Sequence, residues 1–177
     1  MKKEQFINWE YGYGELTAYE RYKLYNWVLT LIKPKNILEI GTGSGASSYY
    51  MASALKKLQN DGTIYTCDPD PRDSSRVVSA FSNIKYAQTI SKHAIQSVIL
   101  NNINLDYIFF DGPEDSELPL EDLKDLESYI SPDCYFSGHD WEYVPRLFDG
   151  GIGEKSKLIR PYIENSKRWE PVEILSG

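Results

Sequence analysis

Apolar positions in this chain come in two alternating kinds of run. From Tyr22 through Tyr25, Trp27, Val28, Leu31 and Ile32 they recur at three- and four-residue spacing, the pattern of an amphipathic helix. Thr17-Ala18-Tyr19-Glu20 ahead of them has the form of a capping box, and Pro34 stops the helix. Residues 36–40 then form a short apolar run closed by glycines, which predicts a buried strand, and 46–58 has helical composition without a breaker. The alternation continues. Strands are predicted over 63–67, 84–87, 105–110, 134–137 and 169–175, and helices over 74–81, 92–100, 118–130 and 155–163. Pro171 puts the last strand at an edge, because proline cannot donate to a ladder.

Connections of this length suit crossovers rather than hairpins. The expected fold is therefore α/β: a Rossmann-like, doubly wound, mostly parallel sheet of six or seven strands with helices on both faces. Residues 1–16, rich in Phe6, Trp9, Tyr11 and Tyr13, are expected to pack on or cover a single domain spanning 17–177. With 177 residues, 41% of them hydrophobic, the chain can bury a core without staples. Cys67 and Cys134 are far apart and no Cys-x-x-Cys occurs, which argues for two buried free thiols and against a structural zinc site. No run approaches the roughly 20 apolar residues of a membrane span. The first residues lead into no apolar stretch, so the cytoplasm is the default location.

The formal net charge of −7 is unevenly spread. Residues 106–149 carry thirteen acidic side chains and two basic ones, Lys124 and Arg146. An acidic centre repels polyphosphate and attracts cations, so neither nucleic acid nor a membrane is expected as partner.

The chemistry gathers at the ends of the predicted strands, where ligands bind in open parallel sheets. Glu39-Ile40-Gly41-Thr42-Gly43-Ser44-Gly45 joins the first strand to a helix. Glycines there permit positive φ and let a ligand approach bare backbone. Gly41, Gly43 and Ala46 also satisfy the G-x-G-x-x-A of dinucleotide sites, a weak match by itself. Asp68 closes the second strand, where a carboxylate can accept both hydroxyls of a ribose in either nucleotide reading. Asp111-Gly112 and Gly138-His139-Asp140 close the fourth and fifth strands. Neighbouring strands would bring Asp111 and Asp140 to one rim, where two carboxylates need a proton or a bridging cation.

The run Ile37-Leu38-Glu39-Ile40-Gly41-Thr42-Gly43-Ser44-Gly45 resembles the first motif of class I S-adenosylmethionine-dependent methyltransferases. That resemblance implies S-adenosylmethionine as cofactor. Glu39 would hold its ammonium, directly or through water, Gly41 to Gly45 would cradle it, and Asp68 would take the ribose. Ile90 and Ser91 would meet the adenine, and Asp111 would lie near the cofactor. The order of motifs from Thr17 to Trp141 is similar to the small-molecule O-methyltransferases of the cephalosporin-hydroxylase-like and macrolide-sugar branch. Some members there bind Mg2+, which by analogy implies Asp111 and Asp140 as metal ligands. Where that branch often has Asp-Gly-x-His, this chain has Asp111-Gly112-Pro113-Glu114, and His139-Asp140 stands where an acidic pair would be. The base is therefore Glu114 or His139. The expected partner is a small-molecule methyl acceptor, a sugar or natural-product hydroxyl. Trp9, Tyr11, Tyr13 and Trp141 are candidates for its wall, and a second copy of the chain is a candidate to complete the sheet edge. Two alternatives stay open at this point: an NAD(P)-dependent oxidoreductase, and a domain that binds S-adenosylmethionine without catalysis.

Overall fold

The computed structural model describes residues 16–70, 74–112, 117–139 and 155–170. The chain opens with α1 (Ala18–Asn26), whose capping box is formed: Thr17 Oγ1 accepts the Glu20 N–H at 3.3 Å and Glu20 Oε2 accepts the Thr17 N–H at 2.6 Å. The helix runs on as a π-helical turn over Trp27–Ile32 and ends with Lys33 in the left-handed region, its N–H donating to Val28 O at 3.0 Å. Proline at 34 prevents continuation.

The elements that follow are β1 (Asn36–Ile40), α2 (Ala46–Leu58), β2 (Thr63–Cys67), α3 (Ser75–Ala80), β3 (Ile84–Ala87), α4 (Ser91–Leu100), β4 (Tyr107–Phe110), α5 (Leu118–Glu127), β5 (Tyr135–Gly138) and α6 (Lys155–Asn165). All four strand pairings are parallel, in the order β3-β2-β1-β4-β5. The chain winds outward from β1 through β2 to β3, then returns to the other side of β1 for β4 and β5. The switch point therefore lies between β1 and β4, and the crevice opens at the carboxyl ends of these strands.

Burial on both faces explains why the strands read as continuous apolar runs. Ile37 of β1 packs with Leu24, Val28, Met51, Leu55 and Ile64 on one side. Leu38 and Ile40, pointing the opposite way, pack with Ile95, Val98, Ile108, Leu123 and Leu126 on the other. By this alternation Glu39 shares the face of Ile37 and enters the layer of α1 and α2.

The described residues hold five strands rather than six or seven. The start of the expected last strand has a different role. Trp169 stacks on Phe136 with ring centroids 5.7 Å apart, and its indole N–H donates to Glu127 Oε1 at 2.5 Å, so it covers the outer side of β5 instead of joining a ladder. The rest of that segment, 171–175, lies outside the described residues. β4 begins two residues later than predicted because Asp106 is used as a connector, its Oδ2 accepting the N–H groups of Lys35 and Asn36 at 2.8 and 2.9 Å. Both cysteines are free and buried. Of residues 1–16 only Leu16 is described, and it belongs to the core. No helix among the described residues is long and apolar enough to cross a membrane.

Candidate functional site

The turn between β1 and α2 is held open by three glycines with positive φ: Gly41 at 92°, Gly43 at 51° and Gly45 at 87°. Their reasons differ. A Cβ on Gly41 would stand 1.9 Å from the main-chain oxygen of Asp111, so the turn is wedged against the end of β4. A Cβ on Gly45 would meet Val77 at 2.9 Å. Gly43 has nothing within 4 Å of that position: its face is open. The N–H groups of Gly41 and Thr42 both donate to Cys67 O, at 2.9 and 3.2 Å, and the Thr42 and Thr66 hydroxyls are hydrogen-bonded at 2.6 Å. The glycine turn thus rests between the ends of β2 and β4.

Asp68 reaches into this turn. Its Oδ2 accepts the Gly43 N–H at 2.9 Å, and its Oδ1 accepts the Asp70 N–H at 2.9 Å. Each oxygen keeps a second lone pair for a ligand hydroxyl. Next to Gly43, Ser44 Oγ is buried and has no hydrogen-bond partner among the described residues. A buried hydroxyl without a partner is costly and invites a ligand to complete it.

Glu39 is the residue expected to hold the cofactor's ammonium, directly or through water. It is 0% exposed, and its two carboxylate oxygens accept the hydroxyls of Ser47 and Ser48 from the first turn of α2. Direct contact between Glu39 and a ligand's ammonium is not made available by this arrangement, because both oxygens are turned inward to the helix. Burial pushes its carboxyl up to about 7, against the opposing pull of hydrogen bonds from Ser47, Ser48 and Thr66, while the nearby Asp111 pushes the same way as burial.

At the ends of β4 and β5 the Asp111 N–H donates to Ile40 O at 2.7 Å and the His139 N–H to Phe110 O at 2.8 Å, so the two residues are set side by side by the ladder. His139 Nδ1 lies 3.2 Å from Asp111 Oδ1. On the other side of the ring, Nε2 lies 3.6 Å from Glu20 Oε1. The His139 side chain is 10% exposed. The hydrogen bond to His139 is the main reason the Glu20 carboxyl is held down to about 2, against the upward pull of burial. Among the described residues no group of three His, Cys, Asp or Glu side chains is arranged to hold a metal ion. Among the described residues Asp111 faces the His139 imidazole; Asp140, Glu114 and Trp141 lie outside them.

Ile90 and Ser91 sit at the start of α4, beyond the end of β3. Ile90 is 49% exposed at this rim, whereas the Ser91 hydroxyl is engaged by Asp122 of α5. Asp122 is 3% exposed, its Oδ2 lacks a partner among the described residues, and burial raises its carboxyl. The structure therefore brings Gly41 to Gly45, Asp68, Asp111 and His139 together, while the half-buried Ser91 is hydrogen-bonded to Asp122.

Glu20, Ser47, Ser48 and Asp122 were not legible as site residues. The pattern at Glu20 is fully explained by its capping box, and a serine pair in a helix carries no sign of what it faces.

A model of the family described as "Methyltransferase domain" matches residues 38–141, more than half of the chain. The chain belongs to this methyltransferase-domain family. The ribosomal protein L11 methyltransferase of Lactobacillus gasseri is 27% identical over 141 residues, covering 78% of this chain. This chain spans 42% of that relative's length. Among solved structures, the S-adenosylhomocysteine-bound methyltransferase PaMTH1 of Podospora anserina is similar with a TM-score of 0.68 and 18% identity, over 85% of this chain and 71% of that one. The O-methyltransferase of Bacillus cereus in complex with S-adenosylhomocysteine is similar with a TM-score of 0.67 and 16% identity, over 91% and 74%. At these identities the structural likeness is one of fold. Family membership sets aside the oxidoreductase alternative.

Proposed function

We propose that this methyltransferase-domain chain transfers a methyl group from S-adenosylmethionine to the hydroxyl of a small molecule, of the sugar or natural-product kind. The observation that carries the reading is the glycine turn. Its open face, at Gly43, adjoins a buried Ser44 hydroxyl that lacks a partner among the described residues and an Asp68 carboxylate with lone pairs to spare. These groups suit the donor. A hydroxyl can meet its amino-acid end, a carboxylate its ribose hydroxyls, and the exposed Ile90 the face of its base. The sulfonium ligand carries no phosphate, in keeping with a turn that has no lysine. When bound, the donor supplies a methyl group already activated by positive sulfur, which leaves as a neutral thioether once the acceptor oxygen has taken the methyl.

Two tasks then fall to the chain. One is holding the reactants in line, which supplies much of the acceleration in a displacement of this kind. The other is removing the acceptor's proton, a role this reading gives to His139 at the end of β5. Asp111 Oδ1 lies 3.2 Å from its Nδ1 and Glu20 Oε1 3.6 Å from its Nε2, so Nε2 can take a proton only once the ring or Glu20 has moved aside. Glu39 serves the turn through α2, by tying Ser47 and Ser48 to the end of β1.

Isothermal titration calorimetry with S-adenosylmethionine, S-adenosylhomocysteine and NAD tests the first half of the proposal. Binding of the two sulfur nucleosides and not of NAD is expected, and the reverse would sink it. Transfer of a labelled methyl group to a panel of hydroxylated acceptors tests the second half. A chain that binds the donor and never turns over is the binding-only domain.

A further inference from the structure

The inner face of α5 carries one carboxyl group among apolar side chains. Pro119, Asp122, Leu123 and Leu126 recur at helical spacing and are buried together. Leu123 and Leu126 pack with Cys67, Ala94 and Ile95, and Asp122 stands in the same stripe at 3% exposure. A carboxyl group in such surroundings costs stability unless its oxygens are met. The Ser91 hydroxyl meets one of them, whereas Oδ2 has no partner among the described residues.

The surroundings of that oxygen narrow what would meet it. Ser91 opens α4 directly after Ile90, whose side chain is 49% exposed at the rim. The adjacent strand end carries Asp68: β2 pairs with β3 as far as Cys67 and Ala87, and the Asp68 N–H donates to Ala87 O at 3.3 Å. Asp122 is near enough to this end to act on Cys67. The thiol there is pushed up to about 12 by burial first and then, against a hydrogen bond from Gly41, by the charges of Glu39, Asp68 and Asp122. A carboxylate oxygen only accepts hydrogen bonds. Adenine offers a donor in its 6-amino group, whereas a 6-oxo purine offers an acceptor at the same place.

We propose that Asp122 reads the base of the donor: its Oδ2 accepts a hydrogen bond from the 6-amino group of adenine and rejects 6-oxo purines. The proposal rests on the donor assigned above and adds to it a residue of α5. With the ribose held by Asp68, the base lies at the start of α4, where Ile90 supplies a face and Asp122 an edge. Ser91, bonded to the other oxygen, sets the orientation of the carboxylate. A 6-oxo base would set oxygen against oxygen in a place closed to water, where an unmet acceptor is costly.

Isothermal titration calorimetry on the full chain tests this with three ligands. They are S-adenosylhomocysteine, S-inosylhomocysteine, which has oxygen in place of the 6-amino group, and the N6,N6-dimethyl derivative, which has no N–H there. The wild type should bind the first at least about tenfold more tightly than either of the others, the scale of one hydrogen bond to a charged group. Asp122→Asn presents an NH2 group where Oδ2 stood, with its oxygen still on Ser91. Its preference for adenine over hypoxanthine should vanish or reverse. Glu121→Gln, which removes the exposed charge next in the chain, should keep the wild-type preference. An undiminished preference in Asp122→Asn overturns the proposal. So does an equal change in Glu121→Gln, which would mean that the general charge of α5 sets the preference. The wild type carries the test even if Asp122→Asn does not fold: equal affinities for the three nucleosides overturn this proposal alone and leave the methyltransferase reading standing. Binding of none of them overturns both.

Discussion

The buried carboxylate of Glu39 makes a quantitative demand on stability. It is 0% exposed, both oxygens accept serine hydroxyls, and burial lifts its carboxyl from 4.5 to about 7. The folded protein therefore holds this proton more tightly than the unfolded chain does. Below pH 4.5 both states are protonated and the neutral acid costs nothing. As the pH rises towards 7 the unfolded chain ionises first, and stability falls until the folded form ionises as well. A displacement of that size corresponds to about 3 kcal/mol. Most of it, about 2 to 3 kcal/mol, is lost between about pH 5 and about pH 8. Glu39→Gln is the perturbation that isolates the effect. Glutamine resembles the neutral acid, with one oxygen that accepts and one group that donates, and the serine hydroxyls can rotate to suit. Unfolding by urea at both pH values, for wild type and variant, gives four stabilities. The variant's stability relative to wild type should improve by about 2 to 3 kcal/mol on going from the lower pH to the higher. Parallel pH profiles for the two proteins would refute the reasoning, since they would mean that Glu39 is as well solvated by its serines as by water.

Gly41→Ala should prevent folding or cost more than about 4 kcal/mol in denaturant titrations, because its Cβ would lie 1.9 Å from Asp111 O in a backbone with positive φ. Gly43→Ala, at an open position, should cost only the roughly 1–2 kcal/mol of a left-handed alanine, yet weaken S-adenosylhomocysteine binding in calorimetry by filling the hollow. Asp68→Asn should keep the fold, since an amide oxygen can still accept the Gly43 N–H, and reduce affinity for the same ligand by about tenfold, the loss of one charge-assisted hydrogen bond. Tyr107→Phe, which removes the buried hydroxyl paired with Ser137 Oγ at 2.6 Å, should lower stability by about 1 kcal/mol without changing ligand affinity.

Local sequence determined the elements and the turn. Alternating apolar runs follow the periods of helix and strand, so the parallel α/β architecture could be read from residues 17–137 alone, and the glycines at 41, 43 and 45 announced a turn that only glycine can make. Asp68 and Asp111 were legible because strand-end carboxylates stand at the rim in any such sheet. Tertiary structure alone decided the rest. The strand order places β1 between β2 and β4, and from that follows the fit of Gly41 against Asp111. Whether Glu39 points to a ligand or to Ser47 and Ser48 depends on which face of β1 the helix α2 covers, and both outcomes share one sequence pattern. Trp169 reads as a strand residue until Phe136 and Glu127 are in place beside it. Glu20 and His139, far apart in sequence, meet only in the folded chain. Periodicity reports neighbours along the chain, whereas a site assembled from the ends of several elements depends on contacts between segments whose local signals carry no information about one another.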